Sequence, residues 1–417
     1  MSIRARGRGS VALALIAALA AMAPTASANG FGGIIRDVPT DTGAALRTPA
    51  FRAPVIAHAA NLPYGGGPVL HANRTHLVFW APAGSGLGYE PGFQRLIRTF
   101  LANVAADSRK PTNVYGLSGQ YRDAGGPAAY ASTFAGAVTA TDPLPANGCL
   151  EPLLTGPGWG VCLSDGQLED ELAHVIATDH LPADRNDIYF LLTPNGMGDC
   201  LGSGPDDCAL GGNATGYCGY HSASRDSQVL YAVIPYNAVP GHCQSDRPRP
   251  NASPADPTIS SLSHEHNETV TDPLGNAYVD GSRLEDGDLC LMQFGPPVGG
   301  AGASVWNEDI NGGHYYLQEE WSNDDGSCQP RDETDALRPL APARARLGQA
   351  VSFSASASDP DGLIVAYSWF FADRRGGRGR RVSHTFARAG SHRIVLRTTD
   401  SSGNYAYASS LLTVTRR

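Results

Sequence analysis

The 417-residue chain predicts an α/β main domain, a mixed sheet with packed helices and disulfide-pinned loops, followed by a small all-β sandwich. Three observations predict it. Between residues 73 and 330, strand-like apolar runs are interleaved with segments whose apolar residues follow the 3.6-residue helical period. All eight cysteines lie between Cys149 and Cys328. From Arg338 onward the chain turns to short alternating segments, with thirteen arginines against four acids.

The elements follow in order. Arg4, Arg6 and Arg8, the apolar stretch from Val11 to Met22 and the small residues Ala26-Ser27-Ala28 form the three parts of a signal peptide over residues 1–28. The apolar run is too short for a membrane span and no later segment is long enough, so the expectation is a secreted, extracellular protein with no membrane attachment after cleavage. Residues 29–72, rich in Gly, Pro and Ala, read as an extended, wrapping segment. A strand is expected over residues 75–80, then a helix opened by Pro91 with Phe93, Leu96, Ile97, Phe100, Leu101 and Val104 on one face. A second strand is expected over 112–121 and an alternating edge strand over 130–139. Leu168, Leu172, Val175 and Ile176 mark another helix, and strands over 187–193 and 229–235 lead to a helix carrying His264. The Gly-rich ground of residues 195–220 and the stretch around Cys243 read as long loops. Residues 331–342 are the expected linker, and residues 343–417 the sandwich.

Cysteine and charge bound the environment. Cys149, Cys162, Cys200, Cys208, Cys218, Cys243, Cys290 and Cys328 are an even set, which in an exported chain implies four disulfides drawn from about a hundred connectivities. Proximity in sequence favours Cys200–Cys208 and Cys290–Cys328. The chain has one lysine, Lys110, against thirty arginines. The C-terminal region carries a charge of +9, whereas the chain before it carries 36 acids and 18 bases. Nucleic acid is therefore excluded as a partner of the acidic main domain, and the basic module suits contact with anionic wall polymers.

The chemistry concentrates in Ser263-His264-Glu265-His266-Asn267-Glu268. On a helix His264 and Glu268, at i and i+4, project from one face. The layout is that of the HExxH zinc motif with a carboxylate in place of the second histidine. Imidazole and carboxylate both suit zinc, and Glu265 is placed to act as general base on an activated water. The plainer reading is a solvated polar face. Ile259, Leu262, Val270 and the methyl of Thr269 outline a buried side instead, and a buried histidine and glutamates need partners.

Candidates for the third ligand compete. Glu285 follows Glu268 by 17 residues, far enough for the chain to return an acid to the site, and is favoured. Asp272 shares the stripe at i+4, but Pro273 draws it into a turn. Asp288 is an alternative ligand or a partner that orients His264. His266 points about 200° away from His264 on the helix. His221 and His314 are outsiders. No nucleophile elbow, P-loop or dinucleotide fingerprint is present. A sheet followed by the motif-bearing helix agrees with a zincin-like plan. These residues predict a secreted zinc-dependent hydrolase, peptidase-like, acting on an extracellular protein or polysaccharide substrate.

Two resemblances add to this. The turn Asp359-Pro360-Asp361-Gly362, then Tyr367-Ser368-Trp369-Phe370-Phe371, His384-Thr385-Phe386, Gly390, Val395, Leu396, Asp400 and Gly403 resemble the polycystic-kidney-disease (PKD) module. That implies an immunoglobulin-like sandwich acting as a spacer or as a polysaccharide- or protein-binding accessory. Ala372-Asp373-Arg374 departs from the Gly-Asp-Gly usual there, and alternation turns Trp369 inward. In the main domain, the segments from Asp187 to Thr193, Tyr217-Cys218-Gly219-Tyr220-His221-Ser222, Pro240-Gly241-His242-Cys243, Thr269-Val270-Thr271-Asp272-Pro273 and Tyr315-Tyr316-Leu317-Gln318 resemble the phosphate-induced, EXORDIUM-like secreted family. Plant members generally lack the His264-Glu265 pair. The resemblance implies the rival expectation, a non-catalytic wall- or polysaccharide-associated protein in which His264, Glu265 and Glu268 are a structural cluster. Convergence of His264, Glu268 and one further acid on a common point separates the two.

Overall fold

The computed structural model describes residues 32–36, 61–149, 159–202, 207–210, 216–332, 335–336, 342–359, 363–373, 375–401 and 404–416. The expected signal peptide, Pro360-Asp361-Gly362, Arg374 and Gly403 lie outside them. The main sheet contains β1 (Gly32–Arg36), β2 (Asn73–Trp80), β3 (Ser132–Ala140), β4 (Asp187–Leu192), β5 (Tyr217–Ala223) and β6 (Leu230–Ile234) in the order β1-β5-β6-β4-β2-β3. β3, β2, β4 and β6 run parallel to one another, whereas β5 is antiparallel to both β6 and β1.

Alternation along the central strands feeds two cores. Leu77, Phe79, Ile188, Phe190 and Ala232 face α1 (Phe93–Ala106) and α3 (Ala255–Thr271). Val78, Trp80, Tyr189, Leu191 and Val233 face α2 (Asp165–Thr178). α1 buries Phe93, Ile97, Phe100, Leu101 and Val104, the expected stripe. At the start of α2 the Ser164 backbone N–H donates to Gln167 Oε1 at 3.0 Å, which satisfies a donor at the helix entry.

Three expectations are corrected. Residues 112–121 are not a strand; they hold a 3-10 helix, Val114–Gln120. Asn113 Oδ1 accepts from the Tyr115 N–H at 3.1 Å and Ser118 Oγ donates to the Tyr115 carbonyl at 2.9 Å, local bonds that compete with strand pairing. The Gly-rich loop expected over 195–220 ends in β5, every residue of which is buried, so it shows no alternation. Gly219 marks no loop there: a Cβ on it would stand 3.1 Å from Glu265 Oε1 and 3.2 Å from Ile234 Cδ1, so its absence lets α3 lie close on the sheet. The main domain also begins before residue 73, because β1 extends its sheet and Leu62, Val69 and Leu70 enter its core.

The disulfides are Cys149–Cys162, Cys200–Cys208, Cys218–Cys243 and Cys290–Cys328, including both expected pairs. Cys218–Cys243 anchors β5, and Cys290–Cys328 anchors the segment that follows Glu285.

Beyond residue 342 lie β7 (Arg344–Arg346), β8 (Ala350–Ser354), β9 (Ile364–Phe371), β10 (Gly376–Arg378), β11 (Arg381–Thr385), β12 (Gly390–Asp400) and β13 (Tyr405–Thr415). A five-stranded sheet, β7-β13-β12-β9-β10, packs with the β8-β11 pair around Phe353, Trp369, Phe371, Phe386, Ile394, Leu396 and Leu412. Trp369 points inward and donates through Nε1 to the Gly379 carbonyl at 2.9 Å. The boundary is not free of contacts. Asn404 Nδ2 donates to the Gly116 carbonyl at 2.7 Å and to Asp332 Oδ2 at 2.6 Å, and the Tyr405 N–H donates to the Arg109 carbonyl at 2.6 Å. The sandwich core nevertheless consists only of its own residues. Residues 338–417 expressed alone are therefore expected to unfold cooperatively with a β-type circular-dichroism signal; a fragment without such a transition would refute an independent unit.

Candidate metal centre

All seventeen residues of α3 are buried. Its apolar side, Ile259, Leu262 and Val270, enters the core beneath the sheet, as the periodicity requires. The opposite side carries His264, Glu265 and Glu268 and is covered by residues 285–290 and 318–322 instead of water. Burying so many ionisable groups is unfavourable unless they are neutralised or paired.

The side chains converge. His264 Nε2 lies 2.9 Å from Glu268 Oε1, one turn along the helix, and 3.7 Å from Asp288 Oδ1. From β5, His221 Nε2 lies 3.1 Å from Glu285 Oε2 and 3.8 Å from Glu268 Oε2. Two groups result, His264–Glu268–Asp288 and His221–Glu268–Glu285, each with its ligand atoms within 4.8 Å of one another. The acids after the helix are set by a tight turn, in which the Glu285 N–H donates to Asp288 Oδ2 at 3.2 Å and the Asp288 N–H to Glu268 Oε1 at 3.0 Å. Gly287 makes the approach possible. A Cβ on it would come within 2.7 Å of the His264 ring and 2.9 Å of Glu268 Oε1.

Hydrogen bonding leaves donors and acceptors unused. His264 Nε2, Glu268 Oε2 and both Glu265 oxygens are buried without a hydrogen-bond partner; the 2.9 Å contact of His264 with Glu268 lacks hydrogen-bond alignment. Gln318 Nε2 donates to His264 Nδ1 at 2.9 Å and to the Gly287 carbonyl at 2.8 Å. With Nδ1 accepting, the imidazole proton sits on Nε2, so metal capture there requires Gln318 to present its oxygen to Nδ1 instead.

Electrostatics follow from burial. Desolvation pushes Glu265 well above the usual carboxylate range, with Glu268, Asp288, Glu285 and Glu320 adding to the shift. Glu268 rises through desolvation and then Glu285, and Asp288 through desolvation and then Glu268. Asp286 is raised to about 6 by desolvation, although Thr271 donates to it at 2.9 Å. Burial lowers His264 to about 4 and also lowers His221. The ion pairs of Glu268 and Asp288 described here are all to these two neutral-leaning histidines. A divalent cation would reverse this balance by favouring the ionised acids. The unpaired buried atoms, the close approach allowed by Gly287 and the imidazole–carboxylate donor set all fit zinc or a similar divalent ion.

The other residues singled out in the sequence sit as follows. Glu265 belongs to neither group; it lies beside them against Gly219 of β5. Asp272 caps α3, its Oδ1 accepting from the Asn276 and Ala277 N–H groups at 2.7 Å each. His266 faces away, with Nε2 3.2 Å from Asn73 Oδ1 and its ring against Tyr115 and Phe190; desolvation alone lowers it to about 3. His314 stacks on Trp306, outside both groups. Three expectations change at the site: His221, expected to lie outside, stands inside it; Glu285, favoured as third ligand beside His264, groups with His221, so that Asp288, the alternative ligand, is the acid beside His264; and Gln318 is the residue bonded to His264 Nδ1. His221 could have been found only by recognising β5 as a buried strand. Gln318 entered the sequence reading only within the resembling segment Tyr315-Tyr316-Leu317-Gln318, without a role at the site. The surface cleft lined by Ala81, Tyr89, Glu90, Gln94, Arg95 and Arg98 shares no residue with the site.

Comparison with known proteins places a PKD domain at residues 337–415. Among solved structures, the chain is similar to the PKD1 domain of the Vibrio cholerae metalloprotease PrtV, at 26% identity over 19% of this chain and 95% of that one, with a TM-score of 0.18. It is also similar to the PKD domain of an M14-like peptidase from a Thermoplasmatales archaeon, at 14% identity over 20% of this chain and 97% of that one, TM-score 0.18. Catalytically inactive OgpA from Akkermansia muciniphila, solved with an O-glycopeptide substrate, aligns at 11% identity over 87% of this chain and 98% of that one, TM-score 0.24, too low to transfer a fold or a site. The chain is thus a mixed α/β protein with four disulfides and a C-terminal PKD domain. Among the described residues no helix is long and apolar enough to cross a membrane. The four disulfides and the PKD domain are consistent with an extracellular protein.

Proposed function

We propose that this chain is a secreted metal-dependent hydrolase, peptidase-like, with His264 and Glu268 as metal ligands and Glu265 as general base. The observation that carries the reading is the convergence of His264, Glu268 and a third acid within one buried group. That acid is Asp288, while Glu285 pairs with His221. A zincin-like plan is supported by the order of sheet and helix, and export by the sequence of residues 1–28. Kinship with EXORDIUM-like proteins rests on the main-domain motifs, and the PKD domain would hold the enzyme near a protein or polysaccharide substrate.

When bound, zinc supplies Lewis acidity that polarises a carbonyl and acidifies water. Glu265, with neither oxygen engaged, takes the proton of the attacking water as its oxygen adds to the carbonyl carbon. The same carboxyl then returns the proton to the amine nitrogen as the C–N bond breaks. Burial and the neighbouring acids raise its proton affinity, so Glu265 would act as base once a bound cation lets its carboxylate ionise. Glu265→Gln is expected to keep its metal and lose roughly 10²–10⁴-fold in turnover on a peptide library. Undiminished turnover would remove Glu265 from the mechanism.

A second reading is favoured by two observations, the near-complete burial of the group and the Gln318 amide nitrogen against His264 Nδ1, an arrangement that leaves the imidazole proton to Nε2. It makes the main domain a non-catalytic extracellular binding protein whose cluster is structural, since closed sites are typical of structural metals. Under it, metal removal unfolds the protein but no peptide is cleaved.

A further inference from the structure

Glu268 offers its two oxygens to different partners. Oε1 faces His264 at 2.9 Å, with Asp288 3.7 Å from the same nitrogen. Oε2 faces His221 at 3.8 Å, with Glu285 3.1 Å from that nitrogen. The two sets match in chemistry: one imidazole, one terminal carboxylate and one oxygen of a shared carboxylate. Glu268 Oε2 is fully buried, without a hydrogen-bond partner, and directed into the second set.

We infer that the site holds two divalent cations bridged by Glu268, the second bound by His221 and Glu285; this rests on the metal reading above. Charge favours more than one ion. Glu265, Glu268, Glu285, Asp286 and Glu320 are buried and Asp288 nearly so, more negative charge than a single divalent ion balances. A carboxylate bridging through both oxygens sets two ions about 3.5–4 Å apart, the spacing used by hydrolases that clamp attacking and leaving oxygens. The framework suits a fixed pair: His221 comes from a central strand anchored by Cys218–Cys243, and both terminal acids come from one turn anchored by Cys290–Cys328.

Full-length protein, stripped by chelator, reloaded with zinc and desalted, is expected to carry two zinc ions per chain by elemental analysis. His221→Ala and Asp288→Asn should each leave about one. A single zinc unaffected by His221→Ala would overturn the two-ion centre while leaving the metal reading intact. No retained zinc would overturn both. Where a variant misfolds, wild-type protein loaded with Mn(II) decides: a spin-coupled pair by electron paramagnetic resonance is expected, and isolated-ion spectra contradict the proposal.

Discussion

Chelation of the purified protein is expected to lower the unfolding midpoint of the main domain by roughly ten degrees, with full recovery on adding zinc. A cation held at about a thousandfold above its dissociation constant contributes about 4 kcal/mol. For a domain of this size each kcal/mol moves the midpoint by about 2–4 °C. The PKD domain has its own core and none of the cluster residues, so its transition should stay in place. Differential scanning calorimetry separates the two events. An unmoved main transition would mean that protons, not a cation, neutralise the cluster. In that case pH takes over as the variable. Folded pKa values are raised for Glu265, Glu268 and Asp288, and Asp286 lies at about 6, so the acids are protonated in the fold where the unfolded chain has released its protons. The stability they contribute is present below about pH 4 and is lost as pH rises through 6 and beyond.

Gly287→Ala is the second large effect. No ligand is removed, yet the new methyl would sit 2.7 Å from His264 Cε1 and Nδ1 and 2.9 Å from Glu268 Oε1. Gly287 has φ −71° and ψ −41°, a conformation alanine adopts without strain, so the substitution tests the contact alone. Either the ring or the turn carrying Glu285 and Asp288 must move. Displacing groups that set ligand orientation is worth about 10–100-fold in metal affinity, and competition against a chromophoric chelator would measure it. Affinity equal to wild type would show that this turn does not press on His264 as described.

What was legible in the sequence follows from which elements have a wet side. α1 and α2 each expose one face, and their apolar stripes announce them. β5 is buried on both faces and contains a glycine required by packing, so neither alternation nor composition revealed it. The helix of the site was legible from Ile259, Leu262 and Val270, but its polar side was not recognisable as buried, because that depends on residues 285–290 and 318–322 folding over it. Within the site, His264 and Glu268 came from helical spacing, and Glu285 and Asp288 from their nearness in the chain. His221 and Gln318 come from segments 43 and 54 residues from His264, and no local pattern ties them to it. Pairing of Cys200 with Cys208 and of Cys290 with Cys328 was readable from proximity, whereas Cys218–Cys243 depends on where β5 lies.

A metal ion held by His264 and Glu268 is directly observable. Anomalous diffraction from crystals of the zinc-loaded protein, recorded on both sides of the zinc absorption edge, tests for it most directly. A peak is expected at zinc–ligand distance, about 2.0–2.2 Å, from both His264 Nε2 and Glu268. No peak there, with His264 Nε2 still 2.9 Å from Glu268 Oε1, would contradict it.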